Sequence, residues 1–466
     1  AMVRKRKLGC VELLDHFVAR IERHDGAINA VVVRDFEAAR RRAKALDRMK
    51  APLGPLHGVP MTVKESFDVA GLPTTWGVPA LRRIATADAL AVQRLRGAGA
   101  VVMGKTNVPP MLGDWQASNE IYGTTSNPWD TTRSPGGSSG GGAAALAAGL
   151  TGLECGSDIG GSIRQPAHAC GVFGHKPTHG LLPLYGHAPV ADGVGQVDIA
   201  CIGPLARSAG DLALALDVLA GPDPLDSVMA PVLPKGPKSA KGVRVAIWAD
   251  DPASRTDAEV GAAVLEAGRA LHKAGAKVST TARPAIDQGE AFRLYLRLLG
   301  AVLLSRLPPG EEAQTAAQLA ALAPDDCSAD AELLRAFGMG HGAWLSLHDA
   351  RTRMRRAWGA FFAEWDVLIC PAFAVPAQPH MVGLPNHEKF AEIGGAKVAW
   401  GELLFWPGVI GAMLLPATAA PIGRTAAGLP IGCQIVGPMH GDRTTIAVAG
   451  MLEDVLGGFV APKGWG

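Results

Sequence analysis

The sequence predicts an α/β fold in which a mixed or mostly parallel sheet carries helices on both faces. Three observations carry that reading. The run VRVAIWAD (243–250) is followed by a helix pattern with Val260, Val264, Ala267 and Leu271 on one face, and then by AKVST, which together make a βαβ unit. Short apolar runs recur at 58–64, 100–107, 366–372 and 429–437, separated by helical periodicity. Hydrophobic residues make up 48% and charged residues 19% of 466, enough apolar material for a large core.

In chain order, residues 9–24 and 35–48 predict helices with basic outer faces. GVPMTVK (58–64) predicts a strand, 86–98 a helix closed by Gly97 and Gly99, and AVVMGKTN (100–107) a buried strand. Further strands are expected at DVLICPA (366–372), MLLPATA and LPIGCQIVG (429–437), and a last helix near 441–456. The Pro-, Gly- and Lys-rich stretch 223–241 predicts a linker between two halves of one fold, and 308–330 and 376–399 predict surface insertions. The uncharged run Leu403–Ile422 is long enough to span a bilayer, but Pro407, Pro416 and Pro421 interrupt helical hydrogen bonding, so a buried strand and pocket wall are expected there.

With 45 basic and 43 acidic residues the net charge is +2, which gives no pull toward nucleic acid or an anionic membrane. The seven cysteines are scattered, without a CxxC pair, and fit reduced thiols in a cytoplasmic location. The basic start is broken by Glu12, Asp15 and His16 and reads as an amphipathic helix, not as a signal peptide.

The chemistry concentrates between Ser134 and Ala167, where SPGGSSGGG and GSDIGGSIRQPA place Ser138 and Ser162 in glycine-rich sequence. Gly160 and Gly161 clear the approach to the Ser162 hydroxyl and let backbone amides turn inward, as an oxyanion hole requires. A phosphate cradle is the weaker reading, because the GxxxxGK[ST] and GxGxxG patterns are missing. Lys64 ends an apolar strand. A lysine entering a core loses hydration and favours its neutral form, so it can serve as base to the two serines. His168, His175 and His179 lie close to Cys170, but Pro177 breaks the spacing that a metal site needs; a serine–histidine pair using His168 or His175 stays open as the rival.

These residues resemble the amidase signature family of serine hydrolases: Lys64, GGSSGG at 136–141 and GSDIGGSIRQPA at 156–167. GKTNVPPM (104–111), YGTTSNPWD (122–130), FGHKPTHG (173–180), GPLARSAGDLALALDVLAGPD (203–223) and GLPIGCQIVGP (428–438) follow the same family in order. The resemblance implies one α/β domain over 1–466, a twisted mixed sheet of about eleven strands covered by helices on both faces. Its core would occupy about 52–222 and 242–460, with variable insertions near 308–330 and 376–410.

Carried over by position, Ser162 resembles the nucleophile, Ser138 the bridging serine after a cis peptide, and Lys64 the base. The amides of Ile159, Gly160, Gly161 and Ser162 correspond to the oxyanion hole, and Ser139, Asp158 and Arg164 to residues that orient the relay. Leu112 and Trp115, with Trp400, Leu404, Phe405 and Trp406, are expected to line the substrate pocket. Departures are Gly142, where a serine is common, His175 and His179, and an N-terminus about one helix shorter than the pattern. The implied activity is hydrolysis of carboxylic amides, with aryl esters, anilides or carbamates sharing the chemistry. The implied partner is a small-molecule substrate, with no cofactor, no metal, no nucleic acid and no membrane span; a homodimer is compatible. Two rivals are a glutaminase subunit of a tRNA-dependent amidotransferase and a non-catalytic binding protein on the same scaffold.

Overall fold

Eleven strands join in one sheet in the computed structural model, which describes residues 2–3, 5–190, 195–223, 232–307 and 310–465. In chain order they are β1 (Val31–Arg34), β2 (Pro60–Lys64), β3 (Val101–Thr106), β4 (Glu154–Asp158), β5 (Phe173–Lys176), β6 (Cys201–Ala206), β7 (Arg244–Ile247), β8 (Lys277–Ser279), β9 (Val367–Pro371), β10 (Ala417–Arg424) and β11 (Pro430–Val436). The order across the sheet is β1-β3-β2-β4-β6-β5-β10-β11-β9-β7-β8. Four neighbouring pairs are parallel and six antiparallel, so the sheet is mixed and not mostly parallel.

Alternation along the strands sends side chains to opposite faces of the sheet. Val245, Ile247, Val367 and Ile369 point into one apolar cluster, and Ala246, Leu368 and Cys370 into the other. That period of two is what a sheet covered on both faces demands. Helices Cys10–His24, Phe36–Asp47, Ala258–Lys273 and Asp442–Leu456 stand where periodicity put them, whereas β1, β4 and β6 are not among the expected strands.

Three expectations change. The 86–98 helix begins only at Leu90, because Asp88 turns its carboxylate to the Ala70 amide at 2.9 Å and to Arg96, which holds the preceding chain out of helix. The run Leu403–Ile422 is half helix: Phe405–Ala412 precedes β10. Pro407 is tolerated as the third helical residue, where an N–H would lack an intrahelical acceptor anyway. Among the described residues no helix is long and apolar enough to cross a membrane. Of the expected linker, 224–231 lie outside the described residues, as do 308 and 309 of the first insertion. The rest of that linker includes Leu233, which is buried against the core.

Strand direction positions the site. β2 and β4 run parallel and adjacent, so their last residues, Lys64 and Asp158, emerge at the same sheet edge. The carboxyl edge of parallel strands is where ligands bind in open α/β sheets. Two short helices follow the glycine loops there, α1 (Gly140–Ala147) and α2 (Arg164–Cys170), and every residue in both is buried. Only glycine and alanine, apart from Leu146, make up α1, which lets it lie close against the strands.

Candidate active site

Lys64 is fully buried, and its Nζ donates to Ser138 Oγ at 2.7 Å and to Ser157 Oγ at 2.9 Å. Burial withdraws hydration from the ammonium and pulls its pKa from 10.5 to about 7, although Asp158 and Glu154 oppose that with their negative charge. Accessibility rises along the set, from 0% at Lys64 to 1% at Ser138 and 5% at Ser162. The Gly137–Ser138 peptide is cis. The Ser139 amide donates to the Ser162 carbonyl at 3.1 Å, which joins the two serine loops. Ser139 Oγ in turn bridges to the Ser157 carbonyl at 3.3 Å. Ser162 Oγ has no hydrogen-bond partner among the described residues.

The loop from Asp158 to Arg164 is wound around one carboxylate. Asp158 Oδ1 accepts from the Gly161 amide at 2.9 Å and Arg164 Nη2 at 2.8 Å. Its Oδ2 accepts from the Ile163 amide at 3.1 Å and Arg164 Nε at 2.9 Å. Burial alone would raise the Asp158 pKa; the Arg164 guanidinium and the amides outweigh it and hold it at about 2. Gly161 sits at φ +94°, a backbone conformation open to glycine, and a Cβ there would stand 2.9 Å from Pro407 Cβ.

That winding revises the oxyanion expectation. The Gly161 amide is engaged by Asp158, whereas those of Ile159, Gly160 and Ser162 have no acceptor among the described residues. The carbonyls of Ile159 and Gly160 are tied back by Tyr295 Oη and Trp115 Nε1, both at 3.1 Å, which fixes the orientation of the peptides.

We expect Asp158→Asn to lower stability by roughly 3–5 kcal/mol, since it leaves the fully buried Arg164 charge without its partner. Thermal melts would show the loss. The folded pKa of Asp158 is below 3.8, so the wild-type contribution is present above that value and disappears as pH falls toward about 2. A D158N variant as stable as wild type at pH 7 would contradict the role of this pair.

The expected pocket residues divide. Helix α3 (Gln288–Leu303) packs against α4 (Phe405–Ala412). On α4 and the turn before it, Leu404, Pro407, Gly408 and Gly411 share one face, at i, i+3, i+4 and i+7. Leu404 Cδ2 lies 3.1 Å from where a Gly160 Cβ would be, and Gly408 makes room for the Tyr295 ring of α3. Phe405 and Trp406 fall off that face. They pack on Trp248 at 6.0 and 5.0 Å between ring centroids, and Trp406 Nε1 donates to Thr256. Both are fully buried. Trp115 and Trp400 stand with ring centroids 5.3 Å apart, and Trp115 reaches Gly160 as above. Leu112 lies half-buried on the turn Pro110–Leu112, with φ +58°. Asp114 links this region to the second insertion, accepting from Trp400 Nε1 at 3.1 Å and from buried Lys389.

The rival histidines are all occupied elsewhere. His168 Nδ1 meets the Gly432 backbone and its Nε2 the Val375 carbonyl at 3.0 Å; His175 bridges Thr418 and Asp442; His179 meets the Val197 carbonyl. No group of three metal-ligating side chains assembles among the described residues. Sequence reasoning missed Ser157, Tyr295, Gln434 and Glu154. Gln434 Oε1 accepts from Arg164 at 2.8 Å while its amide holds the Trp406 carbonyl at 2.9 Å. For Tyr295 a signal existed: a tyrosine on the buried stripe of a helix needs a partner for its hydroxyl.

The family model for Amidase matches residues 12–446. The chain is 32% identical over 463 residues to the indoleacetamide hydrolase of Bradyrhizobium diazoefficiens, covering 98% of this chain and 85% of that protein. It is 33% identical over 467 residues to a glutamyl-tRNA(Gln) amidotransferase subunit of a Synechococcus species, covering 95% and 92%. Among solved structures, 6-aminohexanoate cyclic dimer hydrolase superposes with a TM-score of 0.79 at 30% identity, over 99% of this chain and 97% of that one. With this fold and these matches, the chain belongs to the amidase family. It is an amidase signature enzyme, a hydrolase acting on amide bonds.

Proposed function

We propose that the protein cleaves carboxylic amides through an acyl-serine intermediate, with Ser162 as nucleophile, Ser138 as proton bridge and Lys64 as base. The observation that carries this reading is the buried Lys64 amine, 2.7 Å from Ser138 Oγ and with its pKa brought to about 7 by burial. Neutral Lys64 takes the Ser138 proton while Ser138 takes that of Ser162, and Ser162 Oγ bonds to the substrate carbonyl carbon. The oxyanion that forms meets the open amides of Ile159, Gly160 and Ser162. The relay then returns the proton to the nitrogen, the C–N bond breaks and the amine leaves. Water, deprotonated through the same relay, attacks the acyl carbon and frees Ser162. Asp158 and Arg164 hold the loop in shape and transfer no proton.

The wall of Trp115, Trp400 and Leu404 beside Gly160 favours an aryl or hydrophobic acyl group over a small polar one. The resemblance to the amidotransferase protein supports the other reading, an ammonia-releasing glutaminase. Mass spectrometry after treatment with a fluorophosphonate should place a single adduct on Ser162. A panel of aryl amides, alkyl amides, anilides, aryl esters, carbamates and glutamine should then give its highest kcat/KM on an aryl or long-chain acyl amide. Preference for glutamine would transfer the assignment to the glutaminase reading. No adduct on Ser162 would sink the relay.

A further inference from the structure

Glu154 is fully buried on β4, the strand next to β2, and lies diagonal to the base. Thr62 is its register partner on β2, and Thr106 on β3 is the register partner of Lys64. Residues 62 and 64 of β2 point to the same sheet face, so Thr62, Lys64, Thr106 and Glu154 form one cluster beneath α1. The carboxyl oxygens are both occupied: Oε1 accepts from Thr106 Oγ1 at 3.0 Å and Oε2 from Thr62 Oγ1.

The departure at Gly142 has its explanation here. A Cβ on Gly142 would stand 2.5 Å from Glu154 Cγ and 2.7 Å from Cδ, so a larger residue at this position would press on this side chain. Gly142 and Glu154 fit as a pair, and the glycine that replaces the common serine makes room for a carboxylic acid beside the relay.

Resting on the relay proposed above, we infer that Glu154 is a positioning residue that sets how much of Lys64 stands in the neutral, proton-accepting form. A carboxylate in this cluster stabilises the Lys64 ammonium, and the ammonium stabilises the carboxylate, so the two titrate as a pair. Burial pushes Glu154 up to about 8, against the two threonine donors and Lys64, which lower it. The Glu154 carboxylate and the Lys64 ammonium favour each other, so the two groups gain or lose charge together near neutral pH.

The other ionisable groups around Lys64 are few. Asp158 and Cys155 lie on β4; Asp158 is held ionised by Arg164, and burial keeps the Cys155 thiol protonated. His187, 3.0 Å from Ser66 Oγ, is driven down to about 3 by burial and by Lys64, so it stays neutral. Helix α1 contributes no ionisable side chain, and Lys105 on β3 points to the Pro73–Thr74 side. Glu154 is thus the partner of Lys64 whose charge can vary near neutral pH.

The test is Glu154→Gln, which keeps the size of the side chain and leaves the threonine hydroxyls able to turn as donor or acceptor. The rate of fluorophosphonate labelling of Ser162 is followed against pH in wild type and variant, alongside kcat/KM for an amide. Wild type should show a rise centred near pH 7, where Lys64 loses its proton. Without the carboxylate the ammonium is less favoured, so in E154Q that rise should move down by roughly one pH unit. Glu154→Asp, which retains the charge, should keep the rise near its wild-type position. A rise at the same pH in E154Q, with labelling merely slower throughout, would make Glu154 structural only and overturn the inference. A wild-type labelling rate with no rise at all would fail the relay itself.

Discussion

Ser162→Ala should lose amide turnover by about 10^4-fold or more while leaving the fold intact. The loss follows from chemistry: alanine has no atom to form the acyl bond, and water would have to attack an unactivated amide in its place. The intact fold follows from geometry. Ser162 joins the two loops through its carbonyl, which accepts the Ser139 amide at 3.1 Å and survives the substitution. Its hydroxyl holds up no other described group, so no buried donor or acceptor is orphaned by removing it. Steady-state rates, a thermal melt within a degree or two of wild type, and loss of the fluorophosphonate adduct would together support the role. Turnover within tenfold of wild type would remove Ser162 from the reaction.

The way these residues were legible in the sequence differs from one to the next. Glycine at 160 and 161 announced a close backbone approach, and the structure shows Gly161 at φ +94° with Pro407 against it. The Asp158–Arg164 pair is local in sequence and closes within one loop, so its spacing was informative. Lys64 was visible as a charge at the end of an apolar strand. What sets it beside Ser157 is the parallel pairing of β2 with β4, a nonlocal fact that no window along the chain contains. The same limit hid Tyr295 and Gln434, whose partners lie 136 and 270 residues away. It also blurred the pocket: Trp400, Leu404, Phe405 and Trp406 are adjacent in sequence, but the turn of α4 sends Phe405 and Trp406 into the core. β4, which carries Glu154 and Ser157, is not among the expected strands, because its glycine and serine have low strand propensity and burial overrides it.

Lys64→Ala should be the next most damaging change, and its pattern across leaving groups is more diagnostic than its size. In the forward step the base must take a proton as Ser162 attacks; in the collapse of the tetrahedral intermediate the same proton must reach the departing nitrogen. An alkyl amine leaves only when protonated, whereas an aryl oxide leaves readily without help. Removing Lys64 should therefore cost amide hydrolysis more than aryl-ester hydrolysis, with the gap reaching about tenfold or more on the scale of general acid–base catalysis. The pH profile gives a second reading. Lys64 acts in its neutral form, so wild-type activity should rise as pH passes about 7 and its ammonium is lost. In K64A that rise should vanish, since Ser138 and Ser157 keep their hydroxyls but no titrating group stands 2.7 Å from Ser138 Oγ. Equal losses for amide and ester, or a rise that persists near pH 7, would place the base elsewhere and leave the Lys64–Ser138 contact as packing.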